Sequence, residues 1–252
     1  GVIVVDKNRI HIQNAALLET RPSASPQRLN FSRKLRGPRD EAATGVAGGA
    51  LINLCGRLRV LTQRQAIAWA AAAHAIAPAE AAVELRQRTA EFERTLGQLE
   101  KANLDPELAA ALELVSTTWL AYRAMLFAGE SEEGAKRILG GSEEILAAAD
   151  RLTTLAEHKA GSEQAHYVNV AGRNRMLSQR IVKFFLFQDL ADCAEAAQAQ
   201  IGASAAAFNA NLDELRRSGG SLPQLVAQLD VVGQQWARLM TVLAPSAERM
   251  RR

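Results

Sequence analysis

Aromatic residues make up 5% of this 252-residue chain, and cysteine occurs only twice. The first scarcity, beside abundant Ala, Leu, Glu, Gln and Arg, argues against a sheet-rich core and for a helical one. The second excludes a disulfide framework, so Cys55 and Cys193 read as free, buried thiols. No run of eighteen apolar residues is present, and no segment reads as a membrane span. The opening Gly1-Val2-Ile3-Val4-Val5 is too short for a signal-peptide core, and Asp6 follows it directly. This leans the compartment toward the cytoplasm, although a chain that starts with Gly also suits a processed, periplasmic product.

Acids are missing from two long windows. None occurs over the 38 residues from Ala42 to Ala79, or over the 25 from Gln164 to Gln188. At the overall frequency of 27 in 252, about four and about three would be expected. Residues 1–40 hold eight Lys/Arg against three acids, a local charge of +5. The whole chain carries +3, which leaves −2 for the other 212 residues. The body is therefore not basic and offers no broad phosphate-binding surface. Nucleic acid could be contacted only through residues 1–40.

What the chain does contain is a repeat. Asn53-Leu54-Cys55-Gly56-Arg57-Leu58-Arg59-Val60-Leu61-Thr62-Gln63-Arg64 recurs 116 residues later as Asn169-Val170-Ala171-Gly172-Arg173-Asn174-Arg175-Met176-Leu177-Ser178-Gln179-Arg180, with seven of twelve positions identical. Phe92, Leu96 and Leu99 match Phe208, Leu212 and Leu215 at the same offset. Pro106, Leu108 and Trp119 match Pro223, Leu225 and Trp236 at 117, so one residue is inserted in a turn of the second copy.

Helix signals divide the chain. Residues 1–40 form a basic, flexible arm, strand-compatible over the first twelve and linker-like from Arg21 to Arg39. Repeat one covers 41–130: a motif helix from about Val46 to His74, a second opening at Pro78, and a third capped by Asp105. Connecting helices fill 131–160 as two pieces capped by Ser131 and Ser142 on either side of Gly140-Gly141. Repeat two covers 161–252, its motif helix running from Ser162 to about Leu190. The expected fold is all-α: a duplicated helical bundle in up-down, antiparallel packing, with the connecting helix as fourth helix of the first unit.

The chemistry lies in the motif. Helical neighbours of Arg59 are Ile52, Cys55, Gly56, Thr62, Gln63 and Ala66; those of Arg175 are Val168, Ala171, Gly172, Ser178, Gln179 and Val182. Neither arginine has a carboxylate within reach on its own helix, and both sit on a stripe that would otherwise face the core. Buried positive charge of this kind calls for an anion. Gly56 and Gly172 lie one turn earlier; a mid-helix glycine costs about 1 kcal/mol relative to Ala, so each implies close approach by a helix or small ligand. Against this stands the bland alternative, in which Arg57 and Arg64 are solvated surface residues. Trp69, Trp119 and Trp236 read as core. His11, His74, His158 and His166 show no metal spacing, and no nucleophile–base pair or phosphate loop occurs, so no cofactor, metal or enzymatic activity is expected.

The motif resembles the P-box helix of PilJ-type sensory domains, found at the N-terminus of type IV pili methyl-accepting chemotaxis transducers and of nitrate/nitrite sensor kinases. That helix reads Asn-x-Ala-Gly-Arg-Gln-Arg-Met-Leu-Ser-Gln-Arg. The second copy departs only at Asn174, the first at Cys55, Leu58, Val60 and Thr62, and the resemblance spans roughly residues 45–245. In that family nitrate is held between two such helices of a receptor dimer. The resemblance therefore implies nitrate-binding roles for Arg59, Arg175, Gly56 and Gly172, supported by Arg57, Arg173, Arg64, Arg180, Asn53 and Asn169. With two motifs in one chain, the helices are expected to pair within one molecule. The expected function is a soluble sensor of nitrate or nitrite that relays binding to an unidentified output protein, a regulator or kinase. The alternative is a helical protein–protein interaction module without a small-molecule ligand.

Overall fold

The computed structural model describes residues 2–6, 9–13, 39–129, 131–219 and 223–243, with side chains from residue 48 onward. Strands β1 (Val2–Asp6) and β2 (Arg9–Gln13) pair antiparallel, Val2 opposite Gln13 and Asp6 opposite Arg9. The flexible linker expected after them lies outside the described residues. The other elements among the described residues are helices: α1 (Arg39–Ala73), α2 (Pro78–Glu100), α3 (Pro106–Leu126), α4 (Glu132–Ala160), α5 (Glu163–Leu190), α6 (Ala194–Gly219) and α7 (Pro223–Leu243). The chain is an all-α bundle with a short hairpin at its start.

Local chemistry sets most boundaries. Asp105 accepts hydrogen bonds from the amides of Glu107 and Leu108 at the start of α3. Ser131 and Ser162 accept from the amides three residues ahead, opening α4 and α5. Pro78 starts α2, and Gly161 ends α4 in the left-handed region at φ 59°. Two expectations are corrected. The first motif helix begins at Arg39, well before Val46. The connecting segment is one helix that runs straight through Gly140-Gly141. The Ser142 hydroxyl caps nothing and donates to the Leu139 carbonyl at 2.7 Å inside that helix.

Successive helices run up and down. The ion pairs Arg64–Glu84 and Arg57–Glu91 hold α2 antiparallel to α1, and Lys159–Asp105 ties the end of α4 to the start of α3. The core is duplicated in detail: Phe92 stacks on Trp119 at 4.2 Å and Phe208 on Trp236 at 3.8 Å, the same pair in each repeat. All three tryptophans are buried. The helices α1 and α5 lie side by side and parallel, with His74 bonded to the Leu186 carbonyl at one end and Arg59 to Asn169 toward the other. The helix without a repeat counterpart, α4, runs antiparallel along both of them, and it also packs on α3.

Gly141 shows why the two central glycines of α4 are not alike. A Cβ there would fall 2.9 Å from Met125 Sδ and 3.1 Å from Tyr122 Cδ2 on α3, whereas at Gly140 it would meet open space. Gly140→Ala should therefore raise stability by up to about 1 kcal/mol through helix propensity. Gly141→Ala should lower it by about 1 kcal/mol, because overpacking outweighs the same gain. Denaturant midpoints of the two variants check this: shifts of the same sign would contradict the assigned packing.

Candidate functional site

The parallel pairing of α1 and α5 brings the two motifs together, and Arg59 lies at their junction with no exposed surface. A Cβ on Gly56 would come within 3.3 Å of its Nη2, and one on Gly172 within 3.2 Å. The two motif glycines thus make room for one guanidinium. Nη1 of Arg59 donates to Asp150 Oδ1 of α4 at 2.6 Å, and Nη2 donates to Asn169 Oδ1 of α5 at 2.7 Å. Burial and the like charge of Arg173 push the Arg59 pKa down while Asp150 holds it up. The same burial pushes the neighbouring Cys55 thiol up to about 12, which leaves it an inert core residue.

Here the structure corrects the sequence reading. The acid-free motif helices do not leave the arginine charge uncompensated, because α4 brings carboxylates to it. Glu143, Asp150 and Glu157 stand seven residues apart on that helix. Glu143 pairs with Arg180 and Lys183. Asp150 pairs with Arg59 and, at 3.6 Å, with Arg173. Glu157 accepts from the Asn169 amide and from His166 Nδ1, whose other ring nitrogen meets Glu214 of α6. Glu214 and Glu157 together raise the His166 pKa. Neither these acids nor Lys183 was anticipated. Their repeating spacing is visible in the sequence, but a search limited to each arginine's own helix passes over it.

Arg175, the repeat mate of Arg59, sits differently. It is exposed, and its guanidinium has no hydrogen bond or ion pair among the described residues. Its Nη2 lies 3.9 Å from where a Gly172 Cβ would be, and partial desolvation and the like charge of Arg57 lower its pKa. The asparagines split in the same way, Asn169 buried and Asn53 exposed. The seam thus has two related halves: one holds Arg59 and Arg173 around the Asp150 carboxylate, the other holds Arg175 and Arg57. Arg57 is bound from outside by Glu91. The last motif arginines keep equivalent neighbours twenty residues on, Arg64 with Glu84 and Arg180 with Gln200. They serve α1–α2 and α5–α6 packing. A cavity of 220 Å³ elsewhere, lined by Ala124, Met125, Ala128, Gly129, Gly134 and Arg137, contains none of these groups. Among the described residues no group of His, Cys, Asp and Glu is placed to hold a metal, and no helix is long and apolar enough to cross a membrane.

Lys183 is fully buried against Ser142 Oγ, at 2.9 Å, and Glu143. Burial lowers its pKa to about 8, against about 10.4 for an unfolded lysine. Below pH 8 both states carry the proton and the burial penalty is present in full. Between about 8 and about 10.4 the folded state loses its proton first, so stability rises with pH. Lys183→Met has no such group. Its stability advantage over the wild type should shrink across that window by up to about 1.4 kcal/mol per pH unit. Denaturation curves at stepped pH measure the difference, and a constant gap would contradict this assignment.

Comparison with known proteins places the arrangement. The profile described as the N-terminal domain of type IV pili methyl-accepting chemotaxis transducers matches residues 42–157 and 159–251. No curated protein and no solved structure matches. The two matched stretches take in all seven helices save the first residues of α1 and His158 of α4, where they meet, and each carries one motif helix. The chain belongs to the family of type IV pili methyl-accepting chemotaxis transducer N-terminal domains.

Proposed function

We propose that the chain is a sensory module that binds a small planar oxyanion, nitrate or nitrite, at the seam of α1 and α5 and relays its presence to an output protein. The observation that carries this reading is the unequal pair of half-sites. In one, the planar carboxylate of Asp150 lies between Arg59 and Arg173, the second arginine of one motif and the first of the other. In the other, Arg175 and Arg57 stand in the corresponding roles, and Arg175 has no carboxylate among the described residues. A nitrate ion offers a guanidinium fork the same pair of in-plane oxygens as a carboxylate does.

On this reading Arg175 is the principal ligand, with Arg57 and Asn53 reaching across from α1 and Gly172 leaving the backbone approachable. Arg59, Arg173, Asn169 and Gly56 form the internally paired half, in which both Nη atoms of Arg59 are bonded while its buried Nε has no partner, and this half fixes the spacing of the two helices. Two like charges about 4 Å apart repel by about 4 kcal/mol at an effective dielectric near 20, and an anion between them reverses that sign. Binding therefore favours a closer or shifted α1–α5 pair over the unliganded one.

Isothermal titration with sodium nitrate, against sodium chloride as control, tests the reading. Nitrate-specific heat is expected from the wild type and none from Arg175→Ala. Arg57→Ala should weaken binding by roughly tenfold to a hundredfold, the worth of one charge-assisted hydrogen bond. A silent, correctly folded wild type, or heat unchanged by Arg175→Ala, overturns it.

A further inference from the structure

The two repeats are not equally complete. In the first, α4 closes the unit: it meets α1 at Arg59 through Asp150 and at Gly56 through Thr153, and it seats Gly141 on Tyr122 and Met125 of α3. In the second, α5, α6 and α7 repeat α1, α2 and α3, and no described helix takes the fourth place. The repeat offsets of 116 and 117 carry the residues that α4 covers onto their mates. Arg59 becomes Arg175, Trp69 becomes Phe185, Tyr122 becomes Leu239 and Met125 becomes Val242. Arg59, Trp69 and Tyr122 are buried, whereas Arg175 and Val242 are exposed and Phe185 and Leu239 half-buried. Among the described residues α7 rests chiefly on α6, and only Leu229, Trp236 and Leu243 of it are buried.

We infer that this open groove between α5 and α7 receives a helix from a partner protein, with apolar residues against Phe185, Leu239 and Val242 and a carboxylate against Arg175. The internal repeat says what such a helix looks like. It is α4, which offers small and apolar residues to the core and, seven residues apart, acids that pair with the motif arginines: Glu143 with Arg180 and Asp150 with Arg59 and Arg173. Charge decides among occupants. A second copy pairing the same face across a two-fold axis would set Arg175 against Arg175, and the basic segment 1–40 of this chain would bring cations to a cation. An acidic amphipathic helix does neither. This inference stands apart from nitrate, since it rests on the missing fourth helix.

The probe is a labelled peptide with the α4 sequence, residues 132–160, titrated into the whole chain and followed by fluorescence anisotropy. Saturable binding is expected. It should weaken at least tenfold with Val242→Asp or Leu239→Asp in the chain, with Arg175→Glu, and with Asp150→Asn in the peptide. Leu120→Asp on α3, at a position 68% exposed and outside the groove, should leave it unchanged. Exchange of the peptide with the chain's own α4 would be indifferent to the α7 substitutions, so it is told apart. No binding at millimolar peptide, or binding that these substitutions do not move, overturns the inference. So does self-association of the chain that Val242→Asp abolishes. Should the peptide bind while nitrate gives no heat, the groove stands and the anion reading falls.

Discussion

The architecture depends on how one buried charge is answered. A guanidinium with no exposed surface has lost all its water, and leaving it unpaired would cost several kcal/mol, a sizeable share of what a domain of this size has in hand. Arg59 is held by three segments at once: its own helix with a glycine gap, α4 with a carboxylate, and α5 with an amide and a second glycine gap. None of the three can slide without stranding the charge. The pairing of α1 with α5, and the antiparallel course of α4 along both, follow from that constraint as much as from the apolar core. Such a fixture contributes less to net stability than well-packed apolar residues would, and more to the uniqueness of the register.

Duplication supplies two chemically equal motifs, and one helix makes them unequal. The connector α4 has no mate, so its acids at positions 143, 150 and 157 serve one side of the seam only. A symmetric pair of such helices would present two identical half-sites. Here one is occupied by an internal carboxylate and the other is exposed. The exposed positions, Arg175, Asn53 and Val242, are those whose mates α4 or α5 covers. Among the described residues, the want of a fourth helix on the second repeat accounts for the loose packing of α7 and for the uncovered Arg175 together.

Much of this was legible in the residues, and the division has a physical basis. Caps at Asp105, Ser131 and Ser162, the start at Pro78 and the Phe–Trp pairs depend on contacts within a few positions or on a pattern written twice, so they could be read directly. Gly140-Gly141 could not. Whether two glycines break a helix depends on what lies opposite, and Tyr122 and Met125 belong to another helix. The carboxylate that answers Arg59 lies 91 positions away, and no helical periodicity connects the two. The inequality of Arg59 and Arg175 was least legible, because their neighbours on their own helices are alike. Only the placement of α4 separates them.

Together the two proposals assign a sign and a size to signalling. A small anion and a partner carboxylate would draw on the same donors of Arg175, so each weakens the other by the same factor, as linkage requires. The coupling cannot exceed what is contested. One charge-assisted hydrogen bond, about 1.5–3 kcal/mol, corresponds to roughly tenfold to a hundredfold in partner affinity. The apolar contacts at Leu239 and Val242 are left untouched by an ion at Arg175. Such a sensor grades its partner's occupancy instead of switching it fully, and the Asp150 half, already paired from within, holds the two helices in register throughout.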